Sequence, residues 1–414
     1  MNLLRLSWKN LTSKPLDMAL SLILFALGVG LISVLFLINK QVQDKFDKNL
    51  AGIDMVIGAK GSPLQLILCG MYHVDDPTGN ITIKEAKPFL RPNHPLISMA
   101  VPLSVGDNFQ SYRIIGTTHA MLDLYDGQVA EGKIWEEDYE VTIGSSVAKR
   151  LALKLGDTFF SSHGLVQDEN LVHDDAESFK VVGILEPSGS VLDQLILTNT
   201  SSIWAVHEGH DDEAAVDSVA HDHPEGEHWM DKEDNEITMV LVKFKARNFR
   251  TLNMPRNIAE NTNMMAASPA IQINKLYDQL GVGMDFLQAV ALAIIIVSGL
   301  SIFISLFSSL KDRQYELALM RVMGASRARL FILIILEGIL LAVVGYVIGI
   351  ALSHGAMALL SGFLEESYQY QFSAGTFLAE EVYVFGGAIL LGLLAAMIPA
   401  IQASQTDISE TLGK

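Results

Sequence analysis

Apolar residues form four long runs along the chain, and polar segments separate them. A helix needs roughly 20 such residues to cross a hydrocarbon core of about 30 Å, and each run is that long. The runs cover residues 16–38, 286–310, 330–352 and 382–406, and their only charges are Asp17 and Glu337. This pattern predicts an α-helical membrane protein with four transmembrane helices.

The polar stretch between the first and second runs, residues 40–285, has strand-like and helix-like segments. Apolar and β-branched residues alternate or run over strand length in SYRIIGTT, YEVTIGSS, SFKVVGILE and EITMVLVKFK, which predict strands. SSVAKRLALKLGDTFFSS predicts a helix that ends in a turn at Gly156 and Asp157. Together these segments predict a large α+β domain inserted between helices 1 and 2.

Residues 53–81, just after the first run, combine an apolar stretch with glycines and prolines that favour tight turns. We expect a buried strand or helix at the base of the domain. A surface beside the membrane, or one that binds a lipid-like group, is the alternative.

Composition supports the membrane assignment and shows where the charge lies. The 414-residue chain is 50% hydrophobic, with a mean hydropathy of +0.31 and a net charge of −18. Residues 40–285 hold 37 acidic and 20 basic residues, which is −17 of that charge. An acidic surface repels a phosphate backbone, so we expect no nucleic-acid partner.

Lysine and arginine near the ends of the runs set the expected orientation, because cytoplasmic loops carry their excess. The lead-in at residues 1–15 has three basic residues and no acid before the first run, and residues 311–329 have five basic residues against two acidic ones. The 353–381 loop has four glutamates and no lysine or arginine. We therefore expect both termini, including a tail at 407–414, in the cytoplasm and the α+β domain outside. The first run is too long for a signal-peptide h-region of about 7–15 residues and should stay as an anchor.

Catalytic signatures are weak in this sequence. GQVAEGKI, at residues 127–134, approaches the phosphate-binding pattern G-x-x-x-x-G-K-[ST], but Ile134 replaces the hydroxyl that would hold Mg²⁺. Neither a nucleophile elbow nor an H-E-x-x-H helix occurs. The one cysteine, Cys69, permits no intramolecular disulfide and is expected to be a buried apolar thiol. We expect a non-catalytic chain with no cofactor of its own.

Residues 207–234, HEGHDDEAAVDSVAHDHPEGEHWMDKED, concentrate five histidines and eleven acidic residues, with a formal charge of −10. Imidazole and carboxylate groups suit Zn²⁺, and also Cu²⁺ or Ni²⁺. The candidate ligands are His207, His210, Asp211, Asp212, His221, Asp222, His223 and His228. Weak adventitious binding and a solvated loop without a role are the alternatives, because apolar residues are few. For the same reason we expect the fold to tolerate removal of the segment.

The segment that joins the second and third runs interleaves basic and apolar residues. It reads KDRQYELALMRVMGASRARLF, at residues 311–331, and Gly324, Ala325 and Ser326 interrupt its pattern. A short amphipathic helix here would offer apolar side chains to a partner groove and arginine to an acidic rim. A simple connector that carries cytoplasmic positive charge is the alternative.

This segment resembles the R-x-x-E-[IL]…R-x-x-G-A-S motif of the FtsX-like permease family, the membrane subunits of MacB-type and lipoprotein-releasing ABC systems. The matching residues are Arg313, Glu316, Leu317, Arg321, Gly324, Ala325 and Ser326, while Ala318 and Val322 depart from the commoner pattern. The resemblance extends to LSWKNLTSKPLDMALSL, to VTIGSSVAKRLALKLGDTF and FKVVGILEPSGSVLD, which are similar to the MacB-like periplasmic core, and to IPAIQASQTDISETL. It covers almost the whole chain.

The resemblance implies a permease of the bacterial inner membrane, driven by a separate cytoplasmic ABC ATPase that binds ATP and Mg²⁺. The motif residues and Met320, within a coupling helix at 311–329, would then form the ATPase-coupling site. A second permease copy is expected, most simply in a homodimer, besides membrane lipid and a periplasmic adaptor, binding protein or lipoprotein. Lipoprotein, lipid, peptide, drug and metal-linked cargo all stay open. The alternative is a signalling or scaffold protein that regulates a periplasmic cell-wall hydrolase.

Glu337 is the one acid within the third run. A carboxylate is costly inside a bilayer, so we expect it to pair within the helix bundle. It lies eight residues beyond Arg329, roughly 12 Å along a helix. Contact with water or with the basic segment is therefore the alternative.

Overall fold

A computed structural model describes residues 3–13, 15–161, 178–208, 229–368 and 373–405, without the side chains of residues 207, 208, 280 and 364–368. The helices are α1 Leu3–Leu11, α2 Pro15–Leu50, α3 Pro63–Tyr72, α4 Ile83–Leu90, α5 Ala120–Leu124, α6 Ser145–Leu151, α7 Thr200–Glu208, α8 Phe249–Asn261, α9 Pro269–Asp312, α10 Gln314–Val322, α11 Arg327–Tyr368 and α12 Ala379–Gln405. The strands are β1 Met55–Ala59, β2 Ile81–Thr82, β3 Ile97–Phe109, β4 Tyr112–Thr117, β5 Val129–Gly132, β6 Glu140–Ile143, β7 Thr158–Phe159, β8 Phe179–Leu185, β9 Ile196–Asn199, β10 Glu236–Ile237, β11 Met239–Phe244 and β12 Met264–Ala267.

The chain divides into two compact units. The helical unit comprises Met1–Gln43 and Gln279–Lys414, and the sheet unit comprises Asp44–Asp278. The boundaries fall within α2 and α9, a few residues inside the expected 40–285 domain.

Four helices in the described part of the chain are long and apolar enough to cross a membrane: α2, α9, α11 over Arg327–Phe363, and α12. They confirm the four predicted apolar helices, but three of them continue well past the apolar runs. Helix α2 has 36 residues, about 54 Å, against a hydrocarbon core of about 30 Å. Hydropathy finds only the part of a helix that fits the hydrocarbon, because polar residues do not end a helix.

Small residues allow α11 and α12 to pack closely in the helical unit. A Cβ atom added to Gly338 would lie 2.7 Å from the carbonyl oxygen of Gly392 and 2.6 Å from the Cβ of Ala396. Packing and close backbone approach hold helices together in lipid, where burial of apolar surface gives no advantage. A larger side chain at this crossing would separate the two helices.

The sheet unit is built on a mixed sheet. Its described strands form a ten-stranded sheet in the order β12-β1-β11-β3-β4-β9-β6-β8-β5, with β7 beside β8, and β10 pairs separately with β2. The β4–β9 and β6–β8 pairs are parallel and the others antiparallel. All four segments predicted as strands contain strands of this unit, so the predicted combination of strands and helices in this domain is confirmed.

One predicted helix is shorter than its sequence suggests. Helix α6 ends at Leu151, and Ala152 takes a left-handed conformation with φ 54°, so the helix does not reach Gly156. The following Leu153 packs on the core, while Leu155 is exposed. The apolar residues of LALKL therefore do not share one buried face of a helix, and their spacing predicted a longer helix than the chain forms.

The apolar stretch after the first run lies in the core of the sheet unit. Strand β1 and helix α3 supply Val56, Leu66, Ile67 and Cys69, all essentially without solvent exposure. The expectation of a buried strand or helix at residues 53–81 is confirmed. Residues 129–132 of GQVAEGKI form strand β5, and no phosphate-binding loop is present among the described residues there.

Candidate coupling site

Helix α10 is a short helix set between two long ones, and the residues at its ends explain why. Helix α9 ends at Asp312, and Arg313 leaves the helical conformation with φ −108° before α10 begins. At the other end, the N–H of Gly324 donates to the carbonyl of Arg321, and the N–H of Ala325 donates to that of Met320, both at 3.0 Å. These two bonds form a Schellman motif, in which Gly324 supplies the required positive φ of 96°.

Ser326 begins the next helix immediately. Its side-chain oxygen accepts a hydrogen bond from the N–H of Arg329 at 3.3 Å, as an N-cap residue does. The Gly-Ala-Ser sequence thus ends α10 with glycine and starts α11 with serine, leaving one residue between the two caps.

The two faces of α10 differ. Leu317 and Ala318 are buried, and Leu317 packs with a cluster of the helical unit that comprises Leu310, Leu330, Leu333, Ile334, Ala400 and Ala403. The opposite face is exposed and apolar, with relative exposures between 43% and 72% for Tyr315, Leu319, Val322 and Met323. One face therefore attaches the helix to its own bundle, and the other is free to contact a partner.

A buried ion pair fastens the start of α10 to the bundle. Arg313 Nη1 lies 3.4 Å from Glu337 Oε1 of α11, and Asn10 Nδ2 of α1 donates to the same oxygen at 2.8 Å. Arg313 also lies 3.3 Å from Ser309 Oγ and 3.5 Å from the carboxylate of Glu316. Both Arg313 and Glu337 are buried, so their mutual attraction is little screened by water.

Helix α1 completes this cluster. It packs along α11, and its Ser7 hydroxyl donates to the carbonyl of Leu333 at 3.3 Å, one turn before Glu337. Three segments that are remote in sequence therefore meet at one carboxylate.

The motif residues differ in their exposure to solvent and in their structural role. Glu316 has a largely exposed side chain, whereas Leu317 and Arg313 are buried and could not touch an ATPase unless α10 detached. Gly324, Ala325 and Ser326 shape the corner rather than a contact surface. Sequence reasoning missed Tyr315. It named Leu319, Val322 and Met323 among the apolar residues that the segment would offer to a partner, but not among the coupling-site residues. Their three- and four-residue spacing was the available signal.

Comparison with known families identifies the chain. It matches the MacB-like periplasmic core domain over residues 18–244, more than half of its length, and the FtsX-like permease C-terminal over residues 289–408. The chain belongs to the FtsX/MacB-type permease family. It is thus a multi-pass membrane permease of the ABC-transporter type.

Curated relatives of the permease agree with this family. It is 29% identical over 128 residues to the macrolide export ATP-binding/permease protein MacB of Burkholderia cenocepacia (strain HI2424), and 26% identical over 128 residues to that of Agrobacterium fabrum (strain C58 / ATCC 33970). Each match covers 31% of this chain and only 18% or 19% of the relative. The shared part is therefore less than a fifth of those proteins.

The predicted metal ligands of the permease lie outside the described residues. Residues 209–228 are not described, and of His207 only the backbone, within α7, is. Among the described residues, no group of three or more histidine, cysteine, aspartate or glutamate side chains could hold a metal. The zinc site stays a prediction.

The C-terminal end of the histidine-rich segment belongs to the fold. Residues Trp229–Asp231 form a 3-10 turn, Trp229 packs on the core of the sheet unit, and Glu233 pairs with Lys87 at 2.7 Å. The premise that residues 207–234 contain no core-forming residue is therefore wrong, while the tolerance of the fold to their removal stays a prediction. One of the few apolar residues in this segment, Trp229, packs on the core.

Two titratable groups of the permease are buried together in the sheet unit without a catalytic arrangement. Burial raises the pKa of Cys69 to about 11, against a weaker opposite effect of Arg113, whose Nη1 lies 4.0 Å from the sulfur. Burial, followed by repulsion from Arg113, lowers the pKa of His73 to about 3. Neither ring nitrogen of His73 has a hydrogen-bond partner among the described residues. Both groups are therefore neutral near pH 7, and the prediction of a buried thiol is confirmed.

Proposed function

We propose that this permease is the non-catalytic membrane subunit of an ABC transporter, and that α10 receives the motion of a separate cytoplasmic ATPase. The observation that carries the proposal is the exposed apolar face of α10 on a helix whose other face and first residue are fastened to the bundle. ATP and Mg²⁺ would bind in the ATPase and not in this chain.

The exposed face has the composition of a protein contact. Tyrosine and methionine are enriched where proteins meet, and a helix commonly presents such side chains to a groove. Lipid is a poor alternative occupant, because α10 has nine residues, about 14 Å, and carries Glu316 and Arg321. A short helix with this charge suits an interface beside the membrane.

The buried ion pair supports transmission of force. A partner that displaces α10 also displaces Arg313, and separation of Arg313 from Glu337 would leave a buried charge unpaired. The bundle is therefore expected to follow α10. Because Asn10 bonds to the same carboxylate, α1 would move with α11.

The orientation and assembly are part of the proposal. Basic residues around α10 and in α1 favour a cytoplasmic location for both, and hence for both termini, with the sheet unit in the periplasm. A second copy of the permease and a periplasmic adaptor, binding protein or lipoprotein would complete the transporter. The cargo stays open.

Copurification tests the contact directly. Tagged full-length permease should retain an ABC ATPase from its own cells, and Val322→Asp with Met323→Asp should reduce its recovery about tenfold, because charge would enter a desolvated contact. Phe249→Asp is the matched control, since Phe249 is 82% exposed on α8 of the sheet unit. Undiminished recovery with the α10 variant, or no ATPase with the wild type, would contradict the proposal.

Regulation of a periplasmic cell-wall hydrolase is the second candidate, and it shares the ATPase contact. The two differ in what the sheet unit binds. An amidase or its activator retained by the full-length chain would favour regulation, and an adaptor or binding protein would favour transport.

A further inference from the structure

A second buried polar cluster lies in the helical unit, separate from the one beside α10. Glu381 of α12 is buried, and its Oε1 accepts a hydrogen bond from Ser33 Oγ of α2 at 2.9 Å. The same oxygen lies 3.1 Å from Nε2 of His354 in α11. Ser353 donates to Ser33 at 2.9 Å. Four polar side chains from three apolar helices therefore meet away from water.

The close approach of α2 and α11 explains how the serines meet. A Cβ atom on Gly349 would lie 2.8 Å from the carbonyl oxygen of Ala26, and only glycine permits this crossing. Ser33 and Ser353 follow within about two turns of it, on the same pair of helices.

The hydrogen bonds of His354 fix its protonation. Nδ1 lies 2.6 Å from the carbonyl oxygen of Ala374, which can only accept, so Nδ1 must carry a hydrogen. Nε2 faces Glu381 Oε1 at 3.1 Å, and without a hydrogen between them two lone pairs would face each other. The geometry therefore requires one proton between Nε2 and Oε1, on either atom.

We propose that His354 and Glu381 together form a proton-binding site within the membrane bundle. With one proton taken up from water, neutral imidazole and carboxylate, with a net charge of −1, become a pair of net charge zero. No other bond forms or breaks. The side chains are 14% and 4% exposed, so loss of the proton would leave a buried net charge, which is costly in a low dielectric.

Few other charged groups surround the site. From α11, the Tyr346 hydroxyl donates to the backbone carbonyl of Glu381 at 3.1 Å. Glu380 of α12 lines the adjoining apolar groove, and Asp285 of α9 lines a second groove with Ile32 and Phe36. On α2, Lys40 directly precedes Gln41, which is hydrogen-bonded to Ser373. The carboxylate of Glu381 meets the Ser33 hydroxyl, the His354 ring and the N–H of Leu378.

The proton would hold a segment of chain in place. Residues 373–378 lead into α12, and they are attached by Ala374 to His354, by Leu378 N–H to Glu381 Oε2 at 3.4 Å, and by paired hydrogen bonds of Ser373 with Gln41. Two of these attachments use the proton-binding pair. When the proton leaves, the segment should loosen from α11, while the Gln41 bonds persist.

Amide hydrogen exchange measures how firmly this segment is attached. The experiment uses the full-length chain in lipid nanodiscs and follows residues 373–381. After correction for intrinsic exchange, wild-type protection should fall about tenfold between about pH 5 and about pH 10. Glu381→Gln and His354→Gln should make protection independent of pH. Glu380→Gln, next along α12, should leave the pH dependence unchanged.

Wild-type protection that is constant over this range would overturn the proposal without any variant. So would a pH dependence that persists in both Glu381→Gln and His354→Gln. Glutamine keeps the size of Glu381 and can still accept from Ser33, so this variant tests the proton if His354→Gln fails to fold. A potentiometric titration counts the protons that each protein releases over this pH range. Equal counts for the wild type and Glu381→Gln would also contradict the site.

Discussion

Helix α11 takes part in two buried carboxylate contacts, at Glu337 and at His354, about 25 Å apart along its axis. The side chain that pairs with the carboxylate differs between them. Glu337 pairs with the guanidinium of Arg313, whereas Glu381 pairs with the imidazole of His354, with which we propose that it shares an exchangeable proton. The first contact suits a permanent mechanical link, and the second suits a link that can be released. Under this proposal, the same helix holds one permanent attachment and one that depends on a proton.

The largest effect should come from removal of one partner of the permanent pair. Glu337→Ala leaves the Arg313 guanidinium buried and uncompensated, so the free energy of unfolding of the full-length chain in detergent should fall by about 3–5 kcal/mol. Glu337→Ala combined with Arg313→Met should lose less, because no charge is left behind. A double variant as unstable as the sum of its parts would show that the two side chains do not act as a pair.

His73 is buried without a carboxylate partner, so its contribution to stability should depend on pH in the opposite direction from that proposed for His354. The folded pKa of His73, about 3, is below an unfolded value near 6.5, so the unfolded chain binds more protons between these values. The contribution of His73 to the free energy of unfolding is then fully present above about pH 6.5 and is lost as the pH falls towards 3. Between pH 6.5 and 4.5 the free energy of unfolding should fall by about 2 kcal/mol. In His73→Phe this loss should largely disappear. Denaturant unfolding of both full-length proteins at each pH checks it, and parallel profiles would count against the buried neutral histidine.

The contact of Glu381 with His354 depends on helix packing, and Gly349 tests that dependence. Gly349→Leu should force α2 away from α11, separate Ser33 from Ser353 and lower the free energy of unfolding by about 1–2 kcal/mol. Gly355→Leu is the matched control, since nothing lies within 4 Å of a Cβ atom there. Thermal unfolding of both variants gives the comparison. Equal losses would mean that the crossing is not tight.

The smallest effect should come from the histidine-rich segment, because its sequence has few apolar residues. Deletion of residues 209–228 should change the free energy of unfolding by less than about 0.5 kcal/mol, whereas deletion through Asp234 should cost more, because Trp229 and Glu233 are lost. Calorimetry with ZnCl₂ on the full-length chain and on the shorter deletion tests the predicted metal site. Affinity no tighter than millimolar, or equal in both proteins, would remove it.

The sequence predicted the parts of this fold that depend on local pattern. Four apolar runs became four long helices, and strand-like segments became strands, because burial of apolar residues decides both. Glycine and serine at the end of α10 were expected to interrupt a helix, and their capping roles explain how they do so. The end of α6 was less predictable, since the apolar spacing of LALKL also fits a longer helix.

Contacts between distant residues could not be predicted in this way. Glu337 was expected to pair inside the bundle, with contact to the basic segment as the alternative. Its partners are Arg313 of that segment and Asn10, which is 327 residues away in sequence. His354 and Glu381 were assigned to an acidic loop, because hydropathy falls after Leu352 even though α11 continues to Tyr368. Polar residues that satisfy one another inside a bundle look like loop residues in sequence.

The burial of Cys69 makes this permease convenient for chemical mapping. Its thiol is inaccessible and protonated at neutral pH, so thiol reagents should ignore the native chain. A single cysteine introduced at Met323 or at Thr376, both exposed, would then be the sole reactive position in an otherwise unmodified protein. Impermeant maleimides applied to intact cells or to inverted vesicles could assign each end of α11 to its side of the membrane.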